Sequence, residues 1–199
     1  METETVVDTV PFPAYTRATI EAAGPYDEEL VRNQDDEYNY RIRNLGGRLL
    51  LDPALRSRYY SRASLGRLWR QYFEYGFWKV RVLQKHPRQM SLRQFVPAAL
   101  VLMLLGAGTL AGVAPVSSSA MALIPLTYLA GILGASLLIS AREGPLLLPI
   151  LLAAFPALHL GYGSGFLAGL LWFWNRWGDR STLVGSARLA AVRGVKESE

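Results

Sequence analysis

The sequence predicts an α+β polar domain followed by an α-helical membrane domain, and the distribution of charge is the main evidence for both. The chain has 199 residues, of which 51% are hydrophobic. Charged residues are dense from Met1 to Gln94, whereas the stretch from Phe95 to Trp174 contains only Arg142 and Glu143. A charged side chain in the core of a bilayer costs several kcal/mol. A long stretch almost free of charge is therefore typical of a lipid-embedded domain.

The polar half consists of short periodic segments bounded by glycine and proline. Tyr38, Ile42 and Leu45 are spaced to share one helical face, and Gly46-Gly47 follows them as a stop signal. We predict helices at residues 17–23 and 35–45, and extended segments or strands at 6–15, 48–51 and 56–60. This mixture makes the polar half α+β.

A longer helix is predicted from an N-cap at Ser64 to about Lys85. Its apolar face is rich in aromatic residues and is flanked by arginines and lysines. Two interpretations stay open, because such a helix can lie in the membrane interface or pack on a soluble core, and both can hold on different turns. We assign residues 1–63 to the polar domain and residues 64–95 to this helix and its linker.

Three apolar stretches, at residues 96–114, 120–140 and 146–174, follow as candidate membrane helices. The first two have about the 20 residues that a bilayer core requires. The third would form a straight helix of roughly 43 Å, which exceeds a core of about 30 Å unless it tilts strongly. Pro149 and Pro156 interrupt it, and several glycines follow them. It can be one kinked span or two shorter arms.

The positive-inside rule places the polar domain in the cytoplasm, so that the protein is a multi-pass protein of the cell's inner membrane. Under this rule the first connection, at residues 115–119, lies outside and Arg142 lies inside. A single third span would put the basic tail, residues 175–199, outside. Charge bias and length therefore both favour a break around residues 159–165, which would keep the tail inside.

Composition also bounds the partners of the chain. Anionic lipid headgroups near the membrane ends account for the net charge of +5. Nucleic-acid binding is not expected, because no groove-reading motif is present. The sequence has no cysteine, which excludes disulfides, and its N-terminus lacks the basic and apolar regions of a signal peptide.

His159 is the ionisable side chain within the third apolar stretch. Polar residues inside membranes are candidates for function. The alternative, which we favour, is a histidine bonded to a backbone carbonyl freed near Pro156.

The densest polar cluster, Asn33-Gln34-Asp35-Asp36-Glu37, opens the helix predicted at 35–45. Carboxylates at this end stabilise a helix through its dipole, which is the simplest explanation of the cluster. A carboxylate held in place there can equally act as a general base. Spacing alone does not separate the two interpretations.

Two longer runs carry a family resemblance. PYDEELVRNQDDEYNYRIRNLGGRLLLDP and YYSRASLGRLWRQYFEYGFWK, together with Val7-Asp8-Thr9-Val10, resemble the second half of family 2 glycosyltransferases of the succinoglycan-biosynthesis type. The resemblance covers about residues 6–95. It implies the acceptor-side half of a GT-A catalytic domain followed by transmembrane helices. The implied reaction is inverting transfer of a sugar from a nucleotide sugar to a lipid-linked or polysaccharide acceptor at the inner leaflet.

The resemblance also implies site residues. In this family a Glu-Asp pair opens the helix beneath the acceptor, and the alignment places Gln34 at the glutamate and Asp35 at the catalytic base. Asp36 is the alternative base. The family's Gln-x-x-Arg-Trp motif corresponds to Gln71 and the four residues after it, with Glu74 in place of the arginine. Arg70 and Lys79 are then the alternative candidates for the contact with the donor diphosphate.

The donor-side signals of this family are missing upstream of Asp35. A complete enzyme is expected to hold Mg²⁺ or Mn²⁺ through an Asp-x-Asp pair, and neither that pair nor a glycine-rich phosphate loop is present. We therefore expect a fragment, a split gene product or a truncated reading frame, inactive alone, that lacks most of the ligands for the metal.

Two other functions were considered. A non-enzymatic, membrane-anchored scaffold could dock a separate nucleotide-binding subunit. A channel or transporter element is disfavoured, because the membrane stretches contain almost no charge.

Overall fold

The computed structural model describes residues 3–10, 12–60, 64–113 and 118–179. The chain divides into two compact units. The first unit comprises Met1–Tyr60, Arg81–Gln89 and Asn175–Glu199, and the second comprises Ser61–Val80 and Met90–Trp174. The predicted division at residues 63, 95 and 174 stays a prediction, and most of the predicted basic tail, from residue 180 onward, lies outside the described residues.

The first unit combines a small sheet with two short helices. Strand β1 (Thr5–Val7) pairs antiparallel with β2 (Leu49–Leu51), and helices α1 (Arg17–Ala23) and α2 (Gln34–Asn44) lie between them in the chain. An α+β polar half is thus confirmed, whereas its GT-A topology stays a prediction. The strand predicted at residues 56–60 is wrong, since that segment has no regular structure.

A core of five buried apolar residues holds these elements together, and α2 supplies its centre. The side chains of Tyr38 and Ile42 are 2% and 4% exposed, and Leu45 packs against the same cluster, so the predicted helical face is confirmed. Tyr38 also donates a hydrogen bond to the carbonyl of Gly24, 2.9 Å away. Gly24 ends α1 with a φ of 76°, a conformation that favours glycine. The remaining core residues are Val10, Ala23 and Leu49.

Helix α3 (Leu65–Lys85) begins at the predicted N-cap, where the Arg67 amide donates to the Ser64 hydroxyl at 3.3 Å. The second unit contains α3 up to Val80, then α4 (Val96–Val113), α5 (Ser118–Glu143) and α6 (Leu147–Trp172). Within the described residues, two helices are long and apolar enough to cross a membrane, at Met121–Glu143 and Leu147–Trp172. The apolar part of α4, Val96–Leu110, is shorter.

Glycines of α6 let α3 approach it at backbone distance. Gly161, Gly165 and Gly169 are spaced four residues apart, so they share one helical face. A Cβ at Gly169 would lie 2.6 Å from the Phe77 carbonyl oxygen, and one at Gly165 would overlap the Phe73 carbonyl. In this unit the aromatic face of α3 therefore packs on a helix rather than lying unpartnered. Small residues serve the same purpose in other membrane helix pairs.

The expected break around residues 159–165 is wrong. Helix α6 runs without interruption from Leu147 to Trp172 and accommodates Pro156 in its interior. The glycines that suggested a chain reversal form the contact surface for α3 and α4 instead, since a Cβ at Gly163 would overlap the Pro97 carbonyl. Helix α5 begins at Ser118, so the last two residues of the connection predicted at 115–119 are helical, and residues 114–117 lie outside the described part of the chain.

We expect Gly165→Leu to destabilise the second unit, because the new side chain would meet the α3 backbone. Overpacking of a close contact costs about 1–3 kcal/mol. The measurement is the midpoint of thermal unfolding in detergent, followed by tryptophan fluorescence. Gly134→Leu on α5 is the matched control, since a Cβ there meets no atom within 4 Å. Equal losses in the two variants would contradict the close approach of α3 and α6.

Candidate functional site

The predicted catalytic carboxylate lies in the first turn of α2. Asn33 precedes this helix in a left-handed conformation, with a φ of 63° that non-glycine residues seldom adopt. Gln34 and Asp35 are exposed and Asp36 is half-buried. The Asp35 Oδ1 accepts a hydrogen bond from the Asp36 amide at 2.9 Å, which fixes the orientation of the carboxylate at the positive end of the helix.

A fully buried carboxylate, Glu37, lies in the same turn. Its Oε1 is 2.8 Å from the Nε2 of His86 and accepts from the Arg41 Nε at 3.1 Å, while its Oε2 accepts from the Arg41 Nη2 at 2.7 Å. Burial by itself would raise the pKa of Glu37, but the hydrogen bonds from His86 and Arg41 outweigh it and hold the pKa below its usual value. Because Glu37 is ionised, the Nε2 of His86 donates the hydrogen bond.

Arg41 extends this group to the end of α1. Its Nη1 donates to the carbonyls of Ala23 and Pro25, at 2.7 and 2.8 Å. Carbonyls at the C-terminal end of a helix lack partners within the helix, and a guanidinium satisfies them while its charge complements the dipole. One arginine thus joins the buried carboxylate of α2 to α1.

Two residues that follow α3 bind the first turn of α2. Besides His86, Gln89 donates through its Nε2 to the carbonyl of Asp36 at 3.1 Å. Neither residue is assigned a functional role by the sequence. Both contacts join residues about 50 positions apart, at separations of 49 and 53. No local pattern could have indicated them.

The loop before Asn33 is held by a cluster of ion pairs around Glu29. Its carboxylate pairs with Arg81 at 2.9 Å, Lys85 at 2.7 Å and Arg176 at 2.5 Å, and Lys85 also pairs with Asp27. Burial favours a raised pKa for Glu29, but hydrogen bonds from Arg81 and Lys85 and their charges lower the pKa to about 2. Local sequence patterns do not indicate this cluster, because its members come from three separate parts of the chain.

The other predicted site residues, Gln71 and Arg70, lie on α3 within the second unit. Gln71 donates through its Nε2 to the Tyr75 hydroxyl at 2.7 Å, and the Arg70 Nε pairs with the Glu74 Oε1 at 3.0 Å. The glutamate that stands in place of the family's arginine is therefore paired with an arginine one turn earlier. A shared site of Arg70 and Gln71 with Asp35 stays a prediction.

His159 is bonded differently from the favoured expectation. Its Nδ1 lies 3.4 Å from the Tyr128 hydroxyl, and its ring stacks on Phe155 with centroids 6.0 Å apart. The partner is thus a side chain of α5 rather than a backbone carbonyl near Pro156.

The divalent metal expected for a complete enzyme stays a prediction. Among the residues that the structure describes, no three histidine or carboxylate side chains converge into a group that could hold a metal ion. Asp35 is exposed, Asp36 is half-buried, and Glu37 is paired with Arg41 and His86.

A comparison with known proteins gives a relative of named function. Over 156 residues the chain is 33% identical to the succinoglycan biosynthesis protein ExoA of Rhizobium meliloti (strain 1021). The match covers 78% of this chain and 46% of the relative, so the chain spans about half of the relative's length. No family model and no solved structure matches the chain. The resemblance to the succinoglycan-biosynthesis type is confirmed.

The ion cluster predicts a loss of stability in acid. Glu29 has an ordinary pKa of 4.5 and a pKa of about 2 in the folded protein. A carboxyl whose pKa is lowered by folding stabilises the fold above its unfolded pKa, and this contribution disappears as the pH falls through the interval. We expect Glu29→Gln to lower the midpoint of thermal unfolding at neutral pH. Between about pH 4.5 and pH 2, the midpoint of this variant should then fall less than the midpoint of the wild-type protein.

Thermal unfolding at a series of pH values measures this effect. Glu21→Gln is the control, because Glu21 forms only an exposed pair with Arg17. In this variant the unfolding midpoint should fall in acid as much as it does in the wild-type protein. An unchanged acid loss in Glu29→Gln would show that the cluster does not contribute.

Proposed function

We propose, from its relationship to the succinoglycan biosynthesis protein, that the chain is the acceptor-side and membrane portion of an inverting glycosyltransferase. The donor would be a nucleotide sugar, and the acceptor a lipid-linked sugar or a growing polysaccharide. The observation that carries the proposal is the exposed carboxylate of Asp35. It lies on a helical turn whose buried side is held by the ion pair between Glu37 and Arg41. The 33% identity to the relative supports the same function.

Asp35 is proposed to act as the general base. Its carboxylate would take the proton from an acceptor hydroxyl while that oxygen attacks the anomeric carbon and the nucleoside diphosphate leaves. Its exposure permits contact with a substrate, and its bond to the Asp36 amide limits its movement. Asp36 is the alternative base, and Gln34 is a candidate acceptor contact beside it.

Donor binding is proposed to depend mainly on residues outside these 199 positions. Mg²⁺ or Mn²⁺ would be held there and would neutralise the leaving diphosphate. Gln71 and Arg70 remain proposed substrate contacts, but any phosphate bound by Arg70 would compete with Glu74 for the guanidinium. The chain alone is expected not to transfer sugar.

The membrane topology is proposed to contain an even number of crossings. Arg176, which follows α6, pairs with Glu29, and Asp179 lies 3.7 Å from the Arg81 guanidinium, all within the first unit. A chain that leaves and rejoins the same folded unit must cross a bilayer an even number of times. Helices α5 and α6 supply two crossings, so α4 would not complete one, and the turn at Glu143 would face outward.

This topology keeps both the polar half and the residues after α6 on the cytoplasmic side, as the positive-inside rule requires. With an even number of crossings, the tail can be cytoplasmic without the break that was expected in α6. This topology also reverses the side expected for Arg142.

A complementation experiment tests the proposed function. The chain would replace the matching part of the relative in a strain that lacks it, and incorporation of radiolabelled sugar into lipid would be measured. We expect transfer by this fusion, a loss of about 10²-fold or more in Asp35→Asn, and a smaller loss in Asp36→Asn. The control, Asp8→Asn, removes an exposed carboxylate of the same unit and should retain activity.

Each outcome of this assay has a defined meaning. A correctly inserted fusion without transfer would contradict the enzymatic function and favour the scaffold. A larger loss in Asp36→Asn than in Asp35→Asn would move the base to Asp36. Turnover by the purified chain alone would contradict its dependence on other residues.

Single cysteines test the proposed topology, since the sequence has none of its own. Glu28→Cys, Glu143→Cys and Gly178→Cys occupy exposed positions. We expect a membrane-impermeant maleimide to label Glu143→Cys in intact cells, and the other two only after permeabilisation. Labelling of Gly178→Cys from outside would contradict an even number of crossings.

A further inference from the structure

The bond between His86 and Glu37 is not needed to neutralise the buried carboxylate. Glu37 is 0% exposed, and Arg41 of the same helix already pairs with both of its oxygens. That pair lies within α2 and compensates the charge locally. His86, which is 6% exposed, adds a third hydrogen bond from a different element of the structure. The hydrogen bond from His86 therefore fixes the position of α2 rather than balancing the charge of Glu37.

Gln89 provides a second point of attachment at the same turn. It ends the short 3-10 helix Pro87–Gln89, whose backbone closes with a hydrogen bond from the Gln89 amide to the His86 carbonyl at 3.0 Å. The ring of Pro87 fixes its own φ, which stiffens this turn. His86 and Gln89 are thus presented to α2 from one rigid segment. The first holds a side chain of the turn, and the second holds the backbone carbonyl of Asp36.

The three consecutive carboxylates of α2 therefore differ in their surroundings. Asp35 is exposed, Asp36 has its carbonyl bound by Gln89, and Glu37 has its carboxylate bound by His86. Two attachments within two residues of Asp35 restrict both translation and rotation of the turn. A general base must stay within hydrogen-bond reach of the proton that it removes, and a displacement of about 1 Å can cost about 10²-fold in rate.

We propose that His86 and Gln89 are positioning residues that hold the first turn of α2, and with it Asp35, in the geometry required for proton abstraction. The catalytic part of this inference rests on the proposed function. The structural part, immobilisation of the turn, stands by itself and has its own measurement.

Amide hydrogen exchange of the full chain in nanodiscs measures the immobilisation. In His86→Ala and in Gln89→Ala, we expect exchange at the amides of residues 37–40 to accelerate by about 10-fold, with a smaller change at residues 42–44. His86→Gln retains a donor near the position of Nε2 and should restore most of the protection. Gln89→Ala keeps the experiment decisive if His86→Ala fails to fold.

Activity of the complemented enzyme measures the second part. We expect both alanine variants to lower kcat by about 10-fold or more with little change in the donor KM, and His86→Gln to recover kcat. Unchanged exchange at residues 37–40 in both alanine variants would overturn the proposal, as would equal acceleration throughout α2. A wild-type complemented enzyme without activity would contradict the proposed function while leaving the exchange result to decide the immobilisation.

Discussion

The buried carboxylate of Glu37 is the constraint on which the first unit depends. An ionised group without access to water is tolerated only when hydrogen bonds and opposite charge replace its hydration, and here Arg41 and His86 do so. Removing Arg41 from this buried pair would cost about 3–5 kcal/mol, because the carboxylate charge would be left without its main compensation. In the described part of this unit, the apolar cluster has five buried residues and the sheet has two strands, so neither alone would fix α2 firmly. Polar contacts therefore determine the position of the helix that carries Asp35.

The second unit follows a different physical rule. In lipid, apolar side chains gain little by leaving the surrounding acyl chains, so helices associate through close packing instead. Gly161, Gly165 and Gly169 remove the side chains that would separate α6 from α3, and the aromatic residues of α3 fill the space beside them. Phe77 illustrates the result, since its carbonyl faces Gly169 and its ring lies 4.9 Å from that of Phe173.

Local patterns in the sequence predicted local structure well, whereas contacts between distant residues were not predictable. The N-cap at Ser64, the end of α1 at Gly24 and the buried face of α2 each follow from a few neighbouring residues. The break in α6, which charge bias and length favoured, was wrong because a long helix can stay continuous when its glycines pack against neighbouring helices and its interior accommodates Pro156. The partners of Glu29 and Glu37 are at least 49 residues away in sequence, apart from Arg41, so periodicity and spacing carry no information about them.

The environment of the three carboxylates also narrows the choice of base. Glu37 holds its negative charge strongly, because His86 and Arg41 keep its pKa below the usual value, and such a group is a poor proton acceptor. It is also buried, so an acceptor hydroxyl cannot approach it. Successive residues of a helix are rotated by about 100° from one another, so the same turn can bury one carboxylate and expose another. The proposed base would have to be a carboxylate that remains accessible, and Asp35 meets this condition because Glu37, two positions later, carries the structural role.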